Sequence, residues 1–126
     1  MNILGLDFGT KKIGISLGSS ISRTARPLTI LSVNDQLQTT LTSLIETWRI
    51  QRIVLGDPGD YPNNKNLNDS IDLFIKNILT PYNITIIRWT EEGSSQEAQS
   101  LLKEYPAASR DAIAAMLVLQ SYLDTL

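Results

Sequence analysis

Four acidic residues stand at positions where a carboxylate could do chemistry. Asp7 lies inside an apolar stretch, where a buried carboxylate is costly unless it is paired or binds a cation. Asp57 and Glu91 each follow a predicted strand, and Asp111 falls in the first turn of the predicted last helix. Each also has a structural explanation: Asp7 could cap the following turn, and Asp111 would favour the positive end of its helix dipole. If the fold gathers these acids, their mutual repulsion predicts a divalent cation among them.

The composition narrows that chemistry. The chain has 126 residues with no cysteine and no histidine, which excludes a cysteine nucleophile, a disulfide, a thiolate or imidazole metal site and a histidine general base. Carboxylate oxygens are ligands that suit Mg²⁺ or Mn²⁺. Pairs of such ions can activate water in phosphodiester hydrolysis. The composition therefore favours metal-assisted phosphoryl chemistry.

The elements that must position these acids begin with strands. Apolar residues alternate over residues 3–8 and 13–17, which predicts two strands joined by a turn at residues 9–12. A third strand is predicted over Ala25–Ser32, where Pro27 favours the edge of a sheet. The chain is thus expected to open as an antiparallel meander.

Helices and strands then alternate. A helix capped by Asn34 or Asp35 is expected to end near Arg49. The remaining predicted elements are a strand at 52–56, an exposed loop at 57–68, a helix containing 71–79, a strand at 84–89, a helix opened by a capping box at 94–97, and an apolar helix at 111–123 capped by Ser109. This order predicts a single α/β domain over residues 1–126, whose later strands gather ligands at their carboxyl ends.

Charge is unevenly distributed along the chain. Residues 1–52 carry six basic and three acidic side chains, whereas residues 53–126 carry five basic and ten acidic ones. The basic surplus is compatible with an anionic partner, although a mixed solvated surface explains it equally well. No apolar run approaches the roughly 20 residues that span a bilayer, and the N-terminus lacks a signal-peptide pattern. A cytoplasmic location is therefore expected.

Three motifs in order resemble one known family. The segments 3–14 (ILGLDFGTKKIG), 24–28 (TARPL) and 111–115 (DAIAA) look like the YqgF (RuvX) family of Holliday-junction resolvase-like proteins. The resemblance implies a ribonuclease-H-like fold, with a mixed five-stranded sheet of three antiparallel and two parallel strands and helices on both faces. It also implies a metal-dependent nuclease that processes the 5' end of pre-16S rRNA or resolves branched DNA.

The same resemblance assigns the site. The family's three acids map onto Asp7, Glu91 and Asp111, which would hold Mg²⁺ or Mn²⁺; Glu91 is placed by aligning residues 90–98 with the family motif. Glu92 stands where the family has an arginine, and the loop at 105–110 is shorter than usual. Asp57 occupies a position at which other ribonuclease-H-like enzymes supply an acid, so it is a candidate fourth metal ligand.

Basic residues on the strands and turns expected to flank Asp7 are the predicted phosphate contacts for structured RNA or branched DNA. They are Lys11, Lys12, Arg23 and Arg26. Trp48 and Trp89 are expected to pack rather than to stack on bases.

Two other functions stay open. One is a nucleic-acid-binding or ribosome-assembly factor that kept the fold and lost the chemistry, which Glu92 and the short loop motivate. The other is an ATP-binding relative of the sugar kinases, although those proteins enclose the nucleotide between two domains. The apolar last helix also leaves a homodimer open.

Overall fold

The computed structural model describes residues 1–90, 103, 106 and 109–126. Its strands are β1 (Asn2–Asp7), β2 (Lys12–Ser19), β3 (Ala25–Ser32), β4 (Ile50–Gly56) and β5 (Thr85–Trp89). Its α-helices within these ranges are α1 (Leu37–Thr47), α2 (Lys65–Phe74) and α3 (Arg110–Leu123). The helix predicted from the capping box at 94–97 lies outside the described residues.

The strands form one five-stranded sheet in the order β3-β2-β1-β4-β5. β1 pairs antiparallel with β2, and β2 pairs antiparallel with β3. β1 pairs parallel with β4, and β4 with β5. The predicted mixed sheet is confirmed, and Pro27 lies on an edge strand as its missing N–H requires.

Alternation along β1 divides the core between the two faces of the sheet. Leu4 and Leu6 point to the face covered by α1 and α2, where a large aliphatic cluster forms. Ile3 points to the other face and packs against α3. Because side chains alternate along a strand, Gly5 and Asp7 share the α3 face with Ile3.

Small residues let α3 lie close against the strands. On β2, the hydroxyl of the fully buried Ser16 donates to the Ala115 carbonyl of α3 at 2.8 Å. A methyl group placed on Gly14 would overlap the Asp111 carbonyl, and one on Gly5 would lie 2.7 Å from Cβ of Leu119. The backbone of α3 therefore occupies the space that larger side chains at these positions would fill.

The apolar side of α3 packs against the sheet of the same chain. Its buried residues are Ala112, Ile113, Ala115, Val118, Leu119, Tyr122 and Leu123. These residues cover the sheet, so the hydrophobicity that suggested a dimer surface is explained by packing inside the chain. Ser109 lies at the N-cap position as predicted, without a side-chain capping hydrogen bond.

Several boundaries differ from the sequence prediction. The predicted loop at 57–68 is shorter, because a 3-10 turn at Pro62–Asn64 leads directly into α2 at Lys65. α2 continues into a π-helical turn at Ile75–Leu79. α1 has Gln36 at its N-cap position; Asn34 instead accepts the Gln36 backbone N–H in a turn before the helix. None of the helices in the described part of the chain has the length and apolar character needed to span a membrane.

Candidate active site

Asp7 is the last residue of β1, the central strand of the sheet. It is half-buried and pairs in register with Gly14 of β2. Residues paired across an antiparallel ladder lie on the same face, with Cα atoms about 5 Å apart. Asp7 and Gly14 therefore both face α3.

The backbone of Asp111 packs against Gly14. The backbone carbonyl of Asp111 lies where a Gly14 side chain would be, and the Ala112 nitrogen lies 3.0 Å from the same point. Asp111 is half-buried in the first turn of α3. Because Gly14 has no side chain, the start of α3 packs directly against it. The Asp111 backbone therefore lies beside the β2 residue that pairs with Asp7.

A cleft of about 580 Å³ opens beside Asp7, at the carboxyl ends of β1, β4 and β5. Phe8 forms part of its wall and packs against Phe74 of α2, with ring centroids 5.2 Å apart. Trp89 and Thr90 line the cleft at the end of β5. The ends of parallel strands thus bound the cavity, as expected for a ligand site in an open α/β sheet.

Asp57 lines the same cleft, but its carboxylate has other partners. One oxygen accepts the Gly59 backbone N–H at 2.9 Å, and the other lies 3.2 Å from Nε of Arg88. Arg88 also pairs with Asp72 of α2 at 2.5 Å and donates to Asn68 at 2.9 Å. Arg88 of β5 therefore links Asp57, which follows β4, to α2, on the face opposite Asp7.

The partners of Asp57 in this network, Arg88, Asp72 and Asn68, were not singled out from the sequence. The sequence nevertheless carried a signal for Arg88. It lies two residues after Ile86 in β5 and so points to the same face as the large core cluster. A charged residue on that face needs a partner at its margin. The register Leu55↔Arg88 places Asp57 within reach of it.

Glu91, the third predicted acid, lies outside the described residues, as does Glu92. Thr90, the preceding residue, lines the cleft at the end of β5. Within residues 1–90, 103, 106 and 109–126, no group of three acidic side chains is close enough to hold a metal ion.

The predicted phosphate contacts divide into two groups. Lys11 and Lys12 are exposed beside Asp7, at the turn and the first residue of β2. Arg23 precedes β3, and Arg26 is its second residue, paired with Leu17. The expectation that all four flank Asp7 was wrong for Arg23 and Arg26, since β2 carries the chain back to the opposite end of the sheet.

Both tryptophans pack against neighbouring elements. The guanidinium carbon of Arg26 lies 5.2 Å from the centroid of the Trp48 ring. The Trp89 indole N–H donates to Ser121 at 3.1 Å, and its ring meets Tyr122 edge-on at 5.4 Å. The preference for packing over base stacking agrees with these contacts.

The donor chemistry at the end of β1 fits a hard divalent cation. Asp7 lines the cleft, the Asp111 backbone lies beside its ladder partner Gly14, and the chain has no histidine or cysteine to offer a softer ligand. A metal ion at this place would therefore have carboxylate ligands, with Asp7 and Asp111 as the described candidates.

The sheet order and its flanking helices form a ribonuclease-H-like fold. The fold is similar to that of RuvC from Thermus thermophilus in complex with a Holliday junction substrate, with a TM-score of 0.60, 15% identity, and coverage of 99% of this chain and 96% of that one. It is also similar to the fowlpox virus Holliday junction resolvase, with a TM-score of 0.59, 17% identity and full coverage of both chains.

The chain belongs to the RuvX family, as the resemblance predicted. The family model, described as Holliday junction resolvase, matches residues 1–125. A protein of Bordetella petrii named "Putative pre-16S rRNA nuclease" is 36% identical over 131 residues, covering 98% of this chain and 95% of the relative. A protein of the same name from Bacillus subtilis is 32% identical over 143 residues, covering 100% and 99%.

Proposed function

We propose that this chain is a metal-dependent nuclease that hydrolyses phosphodiester bonds in the cleft beside Asp7, in the cytoplasm. The observation that carries the proposal is the contact of Gly14 with the Asp111 backbone, since Gly14 pairs with Asp7 at the end of the central strand. The family match and the names of the relatives support the same reaction class.

The proposed metal ligands are Asp7, Asp111 and Glu91. Thr90 lines the cleft, so Glu91 follows directly from a residue at its margin. When bound, Mg²⁺ or Mn²⁺ would help to generate the attacking hydroxide and to stabilise the leaving oxygen. We assign Asp57 to the ion pair with Arg88 instead, because both of its carboxylate oxygens already have partners.

The remaining residues position the substrate. Lys11 and Lys12 lie at the Asp7 end of the sheet, where their exposed ammonium groups can contact backbone phosphates. Phe8, held by Phe74, provides a rigid apolar wall. The proposed substrate is the precursor of 16S rRNA, since the relatives are named as its nucleases. The family resemblance further implies a cut near the 5' end, and branched DNA is the other substrate of this reaction class.

The test is a cleavage assay with labelled pre-16S rRNA fragments and four-way DNA junctions in Mg²⁺ or Mn²⁺. We expect the wild type to cut one of them, and Asp7→Asn and Asp111→Asn to lose that cleavage, because each removes an anionic ligand. Asp69→Asn is the matched control, since Asp69 is exposed on α2 and lies outside the proposed ligand set. A wild type that cuts no better than Asp7→Asn would refute the proposal.

A second candidate is a nucleic-acid-binding factor of the same fold without cleavage activity. Glu92, which reverses the charge expected beside Glu91, is the observation in its favour. Salt-dependent RNA binding that persists in Asp7→Asn and Asp111→Asn, together with an inactive wild type, would support this candidate over the nuclease.

A further inference from the structure

We propose that the end of the sheet opposite Asp7 carries a second nucleic-acid-binding surface, which binds the phosphate backbone of a substrate arm that extends from the cleft. This surface, the distal arginine patch, consists of Arg23, Arg26 and Arg49. The inference rests on the proposed function for its substrate class, but it concerns binding at a different place and does not depend on cleavage.

The topology brings the three arginines to one end. Arg23 lies in the turn between β2 and β3, Arg26 is the second residue of β3, and Arg49 lies between α1 and β4. This end also contains the first residue of β1, because Asn2 pairs with Ile50. All three arginines are exposed, and none forms an ion pair with another residue in the described ranges.

A groove of about 360 Å³ lies at this end of the sheet, beside Arg26. Arg26 lines it together with the Trp48 ring, over which its guanidinium lies. Ser22 and Thr24 line the groove as well and carry hydroxyl groups. Guanidinium and hydroxyl donors beside an aromatic face are the groups that proteins use to contact phosphates and sugars.

Backbone conformation marks two of the arginines. Arg23 has φ 56° and Arg49 has φ 49°, and the third non-glycine residue with positive φ in the described ranges is Asn83. Glycine and asparagine adopt the left-handed backbone conformation at low energy, whereas an arginine side chain does nothing to favour it. The turns themselves need only backbone contacts, such as the Arg23 N–H donating to Ser19 at 2.8 Å. The arginine side chains are therefore not explained by the turns they occupy.

The charges facing the patch leave it cationic. Among the described residues, the acidic side chains at this end are Glu46 near the end of α1 and Asp124 after α3, and Asp124 accepts a hydrogen bond from Gln120 at 2.9 Å. The three arginines of the patch outnumber these two carboxylates. The charge of the patch is complementary to a polyanion.

The separation of the two sites predicts the length of arm required. β1 spans six residues between them, which at a rise of about 3.3 Å per residue is about 17–20 Å. A duplex advances about 3.4 Å per base pair, so an arm must extend roughly five base pairs beyond the cleft to reach the patch.

The test measures binding to fluorescein-labelled RNA hairpins with a 4-base-pair or a 14-base-pair stem and the same 5' extension, by anisotropy in EDTA. Matched DNA hairpins distinguish an RNA arm from a DNA arm. The variant Arg23→Gly with Arg49→Gly is expected to bind the long stem about tenfold more weakly, with a salt slope lower by about 2, and to bind the short stem as the wild type does. Arg26→Gln should weaken long-stem binding further.

Matched variants separate charge from folding. The double glycine variant should unfold at or above the wild-type temperature, because glycine relieves the strained conformation. Replacing both residues by lysine should restore affinity. The control Lys65→Gln with Lys76→Gln removes two exposed cations elsewhere and should leave long-stem binding unchanged.

Equal long-stem affinity of the wild type and the double glycine variant would overturn the distal patch, even if the wild type cleaves RNA. Patch-dependent binding by a wild type that cuts nothing would support the patch and refute the nuclease. The two proposals therefore fail separately.

Discussion

Asp7 and Asp57 end neighbouring parallel strands at the same edge of the sheet, yet they belong to different environments. Asp7 shares the α3 face with Gly14 and, through it, with Asp111. Asp57 lies on the face of α2, where Arg88 and Gly59 engage its carboxylate. Two acids that look equivalent along the sequence are thus separated by the alternation of side chains along a strand. Whether an acid lies near the proposed site therefore depends on the face of the sheet to which it points, as well as on the strand that it follows.

The largest effect should follow from filling the space at Gly14. Gly14→Ala places a methyl group against the Asp111 backbone, which cannot rotate away, so we expect a loss of more than about 3 kcal/mol in the free energy of unfolding. Gly56→Ala is the matched control, because its methyl group would meet a Val118 side-chain carbon at 3.1 Å and should cost about 1 kcal/mol. Urea denaturation measures the free energy of unfolding of both variants. Equal losses would contradict the close packing of α3 against Gly14.

A smaller effect is expected at the buried hydroxyl on the same face. Ser16→Ala removes the hydrogen bond to the Ala115 carbonyl and should lower the free energy of unfolding by about 1 kcal/mol. Ser20→Ala, which removes a longer and exposed contact with Met1, should change it by less than about 0.5 kcal/mol. Indistinguishable values for the two variants would show that Ser16 does not help to hold α3.

The smallest effect concerns the other face. In a double-mutant cycle with Asp57→Asn and Arg88→Met, we expect a coupling of about 0.5 kcal/mol, because both groups are partly exposed and solvent weakens the pair. Asp57→Asn should also retain cleavage under conditions where Asp7→Asn has none. Loss of cleavage in folded Asp57→Asn would show that the two acids act together after all.

The sheet could be predicted from the sequence because its signals are local. Alternating apolar residues indicated β1 and β2, and the third strand was predicted with its observed bounds, Ala25–Ser32. The resemblance to the family supplied the mixed sheet of three antiparallel and two parallel strands, which periodicity alone does not determine. The start of α2 was missed because Pro62 and the asparagines after it are typical of loops, whereas here they begin a 3-10 turn that precedes the helix.

The site was predicted only in part, because its geometry depends on contacts between distant residues. Nothing near Gly14 in the chain indicates that Asp111 will occupy the space beside it. Arg23 and Arg26 were expected beside Asp7 because they are near it in sequence, but an antiparallel strand turns that proximity into separation. The partner of Asp57 likewise became visible only once β4 and β5 were in register.

The central claim is that Asp7 and Asp111 share a metal site from which Asp57 is excluded. A crystal of the wild type soaked in Mn²⁺ tests it most directly, through anomalous density that locates the ion. We expect Mn²⁺ between Asp7 and Asp111, with Asp57 still paired to Arg88. Mn²⁺ bound by Asp57 with Arg88 displaced, or an ion that contacts neither Asp7 nor Asp111, would contradict the account.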